Sequence, residues 1–290
     1  MRIGVVGNPA YPQLPAILHQ LAREAARREL ALHTEPELAG VWERPLPPID
    51  GSPLDALVTF GGDGTLLRGA RLVAGTGTPV LGVNLGRVGF LTTAGRDTVD
   101  EALEALVRGG YRTEARLALT AAIVDRDGRV ASTHYALNDV VVHNAGVARM
   151  ARLDVEIDGE PLGPYSADGL VVATPTGSTA YSLSAGGPIV LPTVEAILVT
   201  PICAHTLAVR PVVIAATSRV VVVPVAGWSE EMIVSFDGQV GTALADGARV
   251  EVRRADEPVR LVRLDGTGFF GRMREKLRWG DLSDRETSNQ

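Results

Sequence analysis

Lysine is nearly absent from this chain: Lys276 is the only one among 290 residues. A phosphate loop of the Gly-x-x-x-x-Gly-Lys-Ser/Thr kind is therefore excluded. Cysteine is equally scarce, with Cys203 alone, so there is no intramolecular disulfide framework and a reducing compartment is expected. Placed between Ile202 and Ala204, this thiol reads as a packing residue. Aromatic residues make up 4% of the chain, so Val, Leu, Ile and Ala must build its cores. The longest apolar region, roughly 194–216, is interrupted by Glu195, Pro201, His205, Arg210 and Pro211 and cannot span a bilayer. The apolar stretch within Met1–Pro9 is too short for a secretory signal and reads as a first strand. Excess positive charge is also missing. A net charge of −6 argues against general binding to nucleic acid or an anionic membrane, although local arginine clusters can still hold phosphates. A cytoplasmic protein is expected.

What is present is enough apolar content, 46%, for one large or two ordinary domains. The first part alternates strand and helix. A strand at 3–6 is followed by Leu14, Ile17, Leu18, Leu21 and Ala25 at helical spacing, with Arg23, Glu24, Arg27 and Arg28 on the wet face. The proline-rich segment 34–53 reads as irregular or a short edge element. Strands at 56–60 and 79–83 flank a helix at 66–73, and Val99, Leu103, Leu106 and Val107 mark another helix, closed by Gly109 and Gly110. Such alternation predicts a parallel, Rossmann-like sheet with ligands beyond the strand C-termini. From about residue 117 short β-prone runs take over, at 117–124, 130–137, 139–143, 152–157, 169–173, 197–200, 219–223, 232–236, 249–253 and 259–264, interrupted by a helix near 178–186. The expected architecture is an α/β N-terminal domain with a parallel sheet, 1–116, and a predominantly β C-terminal domain, 117–258. Residues 259–282, with a helix at 269–279, pack back on the first domain. The active site lies in the interdomain cleft, and the tail 283–290 is disordered.

One stretch organises the first domain: Gly61, Gly62, Asp63, Gly64 and Thr65, set between the strand at 56–60 and its helix. A strand running through glycines into a helix N-terminus offers backbone N–H groups to an anion, and glycines there permit positive φ and close approach of a phosphate. The carboxylate of Asp63 beside a phosphate points to chemistry. The same residues also fit a tight βα turn with Asp63 as N-cap. In the second domain, the run from Asp168 to Pro188 passes from an acid through a short strand into a loop dense in Gly, Ser and Thr around Tyr181. It reads as a nucleoside pocket, or as a strand leading to a helix capped by Ser178 or Thr179.

The first stretch resembles the Gly-Gly-Asp-Gly-Thr signature shared by NAD kinases, diacylglycerol and sphingosine kinases and, with a final Ser, phosphofructokinases. The second resembles a further NAD kinase signature, Asp-Gly-x-x-x-x-Thr-Pro-x-Gly-Ser-Thr-Ala-Tyr-x-x-Ser-x-Gly-Gly-Pro, nearly throughout. Gly82–Leu91, Ala136–Val140, and Thr200–Leu207 with Arg210 and Pro211 resemble the same family in the same order, so the likeness spans roughly residues 1 to 270.

The resemblance implies transfer of a phosphate from ATP, or polyphosphate, to the 2′-hydroxyl of the adenosine ribose of NAD, with a divalent cation such as Mg²⁺. Asp63 would accept the proton of that hydroxyl, and Gly61, Gly62, Gly64 and Thr65 would meet the phosphate donor. Gly64 and Arg68 would also touch NAD. Asn138 and Asp139 match the family's NAD-binding Asn-Glu/Asp pair. Asp168 would contact the nicotinamide half or the adenine edge, and Thr176, Thr179, Ala180, Tyr181, Ser182, Leu183 and Ser184 would line the pocket, with Arg149 and Gln239 further contacts. Asp139 is one methylene shorter than the commoner Glu, and Ala204 and Ala208-Val209 stand where relatives often carry Pro and Ser-Asn, leaving His205 as a core or loop histidine. A homodimer or homotetramer is implied. A lipid kinase would share only the first signature, and a non-catalytic NAD or NADP sensor would have no need of Asp63.

Overall fold

The computed structural model describes residues 1–86, 89–145, 150–206, 208–225, 231–264 and 268–278. Two compact units emerge, one of Met1–Glu114 with the chain from Arg260, the other of Ala115–Val259.

In the first unit the elements run β1 (Arg2–Gly7), α1 (Leu14–Arg27), β2 (Ala31–Thr34), β3 (Ala56–Gly61), α2 (Asp63–Leu72), β4 (Pro79–Asn84), β5 (Ala94–Gly95), α3 (Val99–Arg108) and β6 (Arg112–Arg116). Strands β2-β1-β3-β4 lie side by side and parallel. Every residue of β3 is buried, which is why it reads as a continuous apolar run. Leu14, Leu18, Leu21 and Ala25 of α1 and Val99, Ala102, Leu103 and Leu106 of α3 join the strands in one core. Helix α3 ends as its glycines predict, with Gly109 in the left-handed region at φ 71°.

The apolar pattern places the start of α2 at residue 66, whereas the helix begins at Asp63. Gly62 is its N-cap, so Asp63 does not cap it. The glycines of this turn are not there for positive φ either: Gly61, Gly62 and Gly64 are absent from the residues with φ above zero. The segment 34–53 contains the end of edge strand β2, a 3₁₀ turn at Pro36–Leu38 and a bridge from Thr34 to Pro48.

The second unit holds β7 (Leu119–Val124), β8 (Val130–Ala136), β9 (Asp139–Asn144), β10 (Ala151–Ile157), β11 (Glu160–Ala167), β12 (Gly169–Ala173), α4 (Tyr181–Ser184), β13 (Ala196–Ile202), β14 (Val212–Ala215), β15 (Val220–Pro224), β16 (Met232–Phe236), β17 (Val240–Leu244) and β18 (Arg249–Arg254). They form two antiparallel sheets, β11-β10-β15-β18-β7-β8 and β14-β13-β12-β9-β16-β17. One core draws on both sheets, including Leu119, Leu153, Val172, Val199, Val222 and Phe236. Val141, Val171, Ala173 and Leu198 form another cluster with Ala185 and Val190 from the loop around α4. That loop is thereby seated on the apolar middle of the central strands. The helix expected near 178–186 is shorter than its sequence span: a 3₁₀ turn at Gly177–Thr179 and a single turn at Tyr181–Ser184. Neither Ser178 nor Thr179 caps it; Ser178 Oγ donates instead to Pro175 O and Val190 O.

The chain then returns to the first unit through β19 (Val259–Arg263), parallel to β4 and followed in the sheet by β6, and ends its described part in α5 (Phe269–Leu277).

Arg68 of α2 has a position fixed by this fold. Its guanidinium donates to Gly7 O at 2.7 Å and to Glu35 Oε1 at 2.8 Å, and the same Glu35 oxygen accepts the Gly7 N–H. Burial pushes the Glu35 carboxyl above its ordinary range, opposed by the Gly7 N–H and Arg68. Removing the guanidinium leaves a buried acid without its cation, so Arg68→Met is expected to cost about 3 kcal/mol in urea denaturation. An unchanged stability would contradict this anchoring role for Arg68.

Candidate active site

Asp63 opens α2 at the C-terminal end of β3, and its carboxylate is held from across the loop that follows β4. Phe90 N–H donates to Oδ2 at 2.8 Å and Leu91 N–H to Oδ1 at 3.0 Å. Two amides aimed at one carboxylate fix both its position and its orientation. Gly89 makes the approach possible: a Cβ there would lie 2.0 Å from Asp63 Oδ1. Lys276 Nζ of α5 stands 3.4 Å from Oδ2.

The neighbouring residues of the turn divide between surface and interior. Gly62 is half-buried and Gly64 exposed. Thr65 is buried, its N–H donates to Gly62 O at 3.0 Å, and a Cβ on Gly61 would fall 2.2 Å from its Oγ1. Thr65 is thus turned inward, and Gly61 is a glycine because that hydroxyl packs on it. Two cavities of this unit have about the same volume. One of about 490 Å³ is lined by Thr92, Thr93, Arg112, Arg263, Phe269 and Arg272 among others, and one of about 480 Å³ by Asn84, Gly86 and the segment from Thr92 to Asp97. The second lies at the C-terminal end of β4, where a parallel sheet presents its ligands. Asp63 is not among the lining residues of either. Arg263 is anchored by Glu114, Leu91 O and Thr93. Burial and the charge of Arg263 push Arg272 down from the ordinary guanidinium range.

In the second unit the structure gathers most of the remaining expected residues around the start of β9. Asn138 and Asp139 are set by Asp237 of the β16–β17 turn, whose carboxylate accepts the N–H groups of Leu137, Asn138 and Asp139 at 3.2, 2.7 and 3.3 Å. Gly177 touches Asn138 so closely that a Cβ would lie 2.1 Å from its carbonyl oxygen. Asp139 is buried. Its pKa is pushed up to about 7 by burial and then by the Asp237 charge, opposed by a hydrogen bond from the Tyr181 backbone. Tyr181 is exposed, Ser184 exposed, and Thr179, Ala180 and Leu183 half-buried.

Two side chains of this loop are engaged in the interior. Thr176 is buried and accepts a hydrogen bond from Arg116 at 3.2 Å. Ser182 is fully buried and bonds to Thr200 Oγ1 at 3.0 Å. Asp168 precedes β12 and the Thr176–Ser184 loop follows it, so they occupy opposite ends of a five-residue strand, about 17 Å apart. Asp168 faces His205, with Nε2 to Oδ1 at 3.7 Å and both side chains about half exposed; His205 is therefore a loop residue, not a core one. Gln239 is exposed in the β16–β17 turn. Arg149 lies outside the described residues.

Family models match both parts of the chain: the ATP-NAD kinase N-terminal domain over residues 11–111 and the ATP-NAD kinase C-terminal domain over residues 137–264. An NAD kinase of Gemmatimonas aurantiaca is 50% identical over 286 residues, covering 99% of each chain. The chain belongs to the NAD kinase family. An NAD kinase of Heliobacterium modesticaldum is 43% identical over 96% of this chain and 99% of its own. Among solved structures, yeast NADH kinase complexed with NADH superimposes with a TM-score of 0.86 at 28% identity, covering 97% of this chain and 88% of that one. An NAD kinase from Archaeoglobus fulgidus in complex with ATP gives 0.75 at 25% identity, covering 96% and 99%. The lipid-kinase alternative is not favoured by any of these likenesses.

Against the NAD kinase signatures, sequence reasoning missed the residues that act through their backbone or across the chain. Phe90 and Leu91 lie inside the Gly82–Leu91 motif, but nothing in their side chains announces that their amides hold Asp63. Asp237 was visible only as a neighbour of Gln239, although Asp-Gly after a strand is a turn signal.

Two outcomes follow from this geometry. Gly89→Ala must displace the Asp63 carboxylate or the loop, so kcat for phosphoryl transfer is expected to fall about 10²-fold with little change in the melting temperature; unchanged kcat would show that the position of Asp63 is not critical. Because the Asp139 pKa is raised in the folded state, from an ordinary 3.8 to about 7, the native protein binds the extra proton between those values. Stability therefore falls as pH rises through that window, and the penalty is complete above it. Asp139→Asn removes the penalty, so the variant should gain a few kcal/mol over wild type at pH 8 and much less at pH 5. Parallel pH–stability curves for the two proteins would contradict the buried-carboxylate assignment.

Proposed function

We propose that the protein transfers the terminal phosphoryl group of ATP to the 2′-hydroxyl of the adenosine ribose of NAD, giving NADP. The observation that carries this reading is the Asp63 carboxylate, held by the Phe90 and Leu91 amides in a chain of the NAD kinase family. A new bond forms between the ribose 2′-oxygen and the γ-phosphorus, the bond from that phosphorus to the β,γ-bridging oxygen breaks, ADP leaves, and the hydroxyl proton passes to Asp63. A carboxylate is a weak base towards a sugar hydroxyl, so the proton moves late, once bond formation has acidified the hydroxyl. The larger share of the acceleration comes from alignment and charge compensation. Fixing both oxygens of Asp63 before substrate arrives serves that alignment.

NAD is assigned to Asn138, Asp139 and the loop from Thr179 to Ser184, which the Asp139–Tyr181 contact ties together. Small side chains and exposed Tyr181 suit close approach of a nucleoside. The buried hydroxyls of Thr176 and Ser182 brace that loop and do not themselves contact NAD. The phosphates of the donor suit the cavity that includes Arg112, Arg263 and Arg272, where guanidinium groups lie near one another and gain from an anion.

Among the described residues no three His, Cys, Asp or Glu side chains gather as a protein cage for a metal. Mg²⁺ needs no such cage, since it binds mainly through substrate phosphates and water, and it would be carried to the site on the phosphates of the donor. Bound with the donor, the ion would neutralise charge on the transferred phosphoryl group.

The test is NADP formation from NAD, ATP and Mg²⁺, with polyphosphate as a parallel donor. Asp63→Asn should lower turnover by roughly 10²–10⁴-fold while calorimetry finds NAD affinity within a few fold of wild type. Full turnover in that variant would remove Asp63 from the chemistry, and NAD binding without turnover in the wild type would favour a sensor.

A further inference from the structure

The chain's only lysine is aimed at the residue on which the proposed chemistry turns. Lys276 lies in the last turn of α5, more than two hundred residues from Asp63, yet its ammonium is 3.4 Å from Asp63 Oδ2. The same nitrogen stands 5.1 Å from the centroid of the Phe90 ring, and Phe90 is the residue whose N–H holds that carboxylate oxygen. At the other end of α5, Phe269 packs against Phe90 with ring centroids 6.4 Å apart. Helix α5 therefore grips one residue, Phe90, at both ends, and from there delivers a cation to Asp63. The Lys276 side chain is 39% exposed and that of Asp63 23%, so solvent and the donor's phosphates can reach the pair.

Charge gives this contact a purpose. A carboxylate that must stay anionic to take a proton is asked to do so beside an approaching polyanion. Two negative groups repel and resist close approach. A lysine is a compact, mobile point charge that can face either anion, and the face of an aromatic ring holds it in place without consuming its charge. We propose that Lys276 is a positioning residue for phosphoryl transfer: its ammonium offsets the Asp63 charge as the donor's phosphate arrives, so that two like-charged groups can be brought together. The inference rests on the role of Asp63 proposed above.

Because no other lysine exists, the test can be made by chemistry on the intact protein. An N-hydroxysuccinimide acetate ester modifies Lys276 and the α-amine, converting the ammonium to a neutral amide; K276R keeps a positive charge and offers only the α-amine. Acetylation of wild type, verified at Lys276 by mass spectrometry, is expected to lower kcat about 10²-fold with the KM for NAD within twofold. K276R should retain most of its turnover and be indifferent to the reagent, and K276M should match acetylated wild type in kcat while keeping its melting temperature. Wild type that keeps its turnover with Lys276 acetylated overturns the proposal, as does equal loss in K276R and K276M, which would assign the effect to helix shape and not to charge. Unmodified wild type that forms no NADP overturns the Asp63 reading beneath it, a result separable from the other two.

Discussion

The central constraint is a carboxylate held by two peptide N–H groups. Asp63 stands at the first position of a helix that follows a fully buried strand, and the amides of Phe90 and Leu91 reach it from the loop after the neighbouring strand. Charge-assisted bonds of this kind are among the stronger contacts a protein makes, and here they connect two crossovers of one parallel sheet. The arrangement depends on an absence, the missing Cβ of Gly89. It also explains the position of α5, whose contacts converge on Phe90 and Asp63.

The second unit repeats the same physics with the opposite sign of cost. Asp237 gathers three consecutive amides and so fixes Asn138 and Asp139, but it also places one buried carboxyl close to another, and the Asp139 proton is retained to about pH 7. Local stability is given up where Asn138 and Asp139 are held in place. The central strands compensate, since the sheet of β9, β12 and β13 is apolar on both faces and contributes to two clusters.

Elements with strong burial were readable from the sequence, and those with weak burial were not. The alternation of strand and helix in the first unit and the apolar runs of β9, β12 and β13 stand out because both faces are covered. The strands left out are β2, β6, β11, β14 and β17, all sheet edges, and the two-residue β5, which pairs with β4 alone. Strand β11 carries two prolines and a glycine, which an edge tolerates, and β17 is exposed along most of its length. The helix expected around 178–186 contracted because Gly177 and Ser178 are drawn into contacts with Asn138, Pro175 and Val190. In the site, Asp63, Asn138, Asp139 and the Thr179–Ser184 loop were legible as residue types at characteristic spacings. Thr65, Thr176 and Ser182 were legible in type but not in burial, since an exposed hydroxyl and one facing a buried neighbour look alike in a sequence. The amides of Phe90 and Leu91 were invisible, since any residue supplies an N–H, and Lys276 was visible only as the chain's sole lysine.

The most direct test of the account is the stereochemical course at phosphorus, followed with ATP made chiral at the γ-phosphorus by oxygen isotopes and sulfur. If Asp63 accepts only a proton, the phosphoryl group passes straight from ATP to the ribose hydroxyl and its configuration is inverted. Retention would mean two displacements and a phosphorylated carboxylate, and would contradict the role assigned to Asp63.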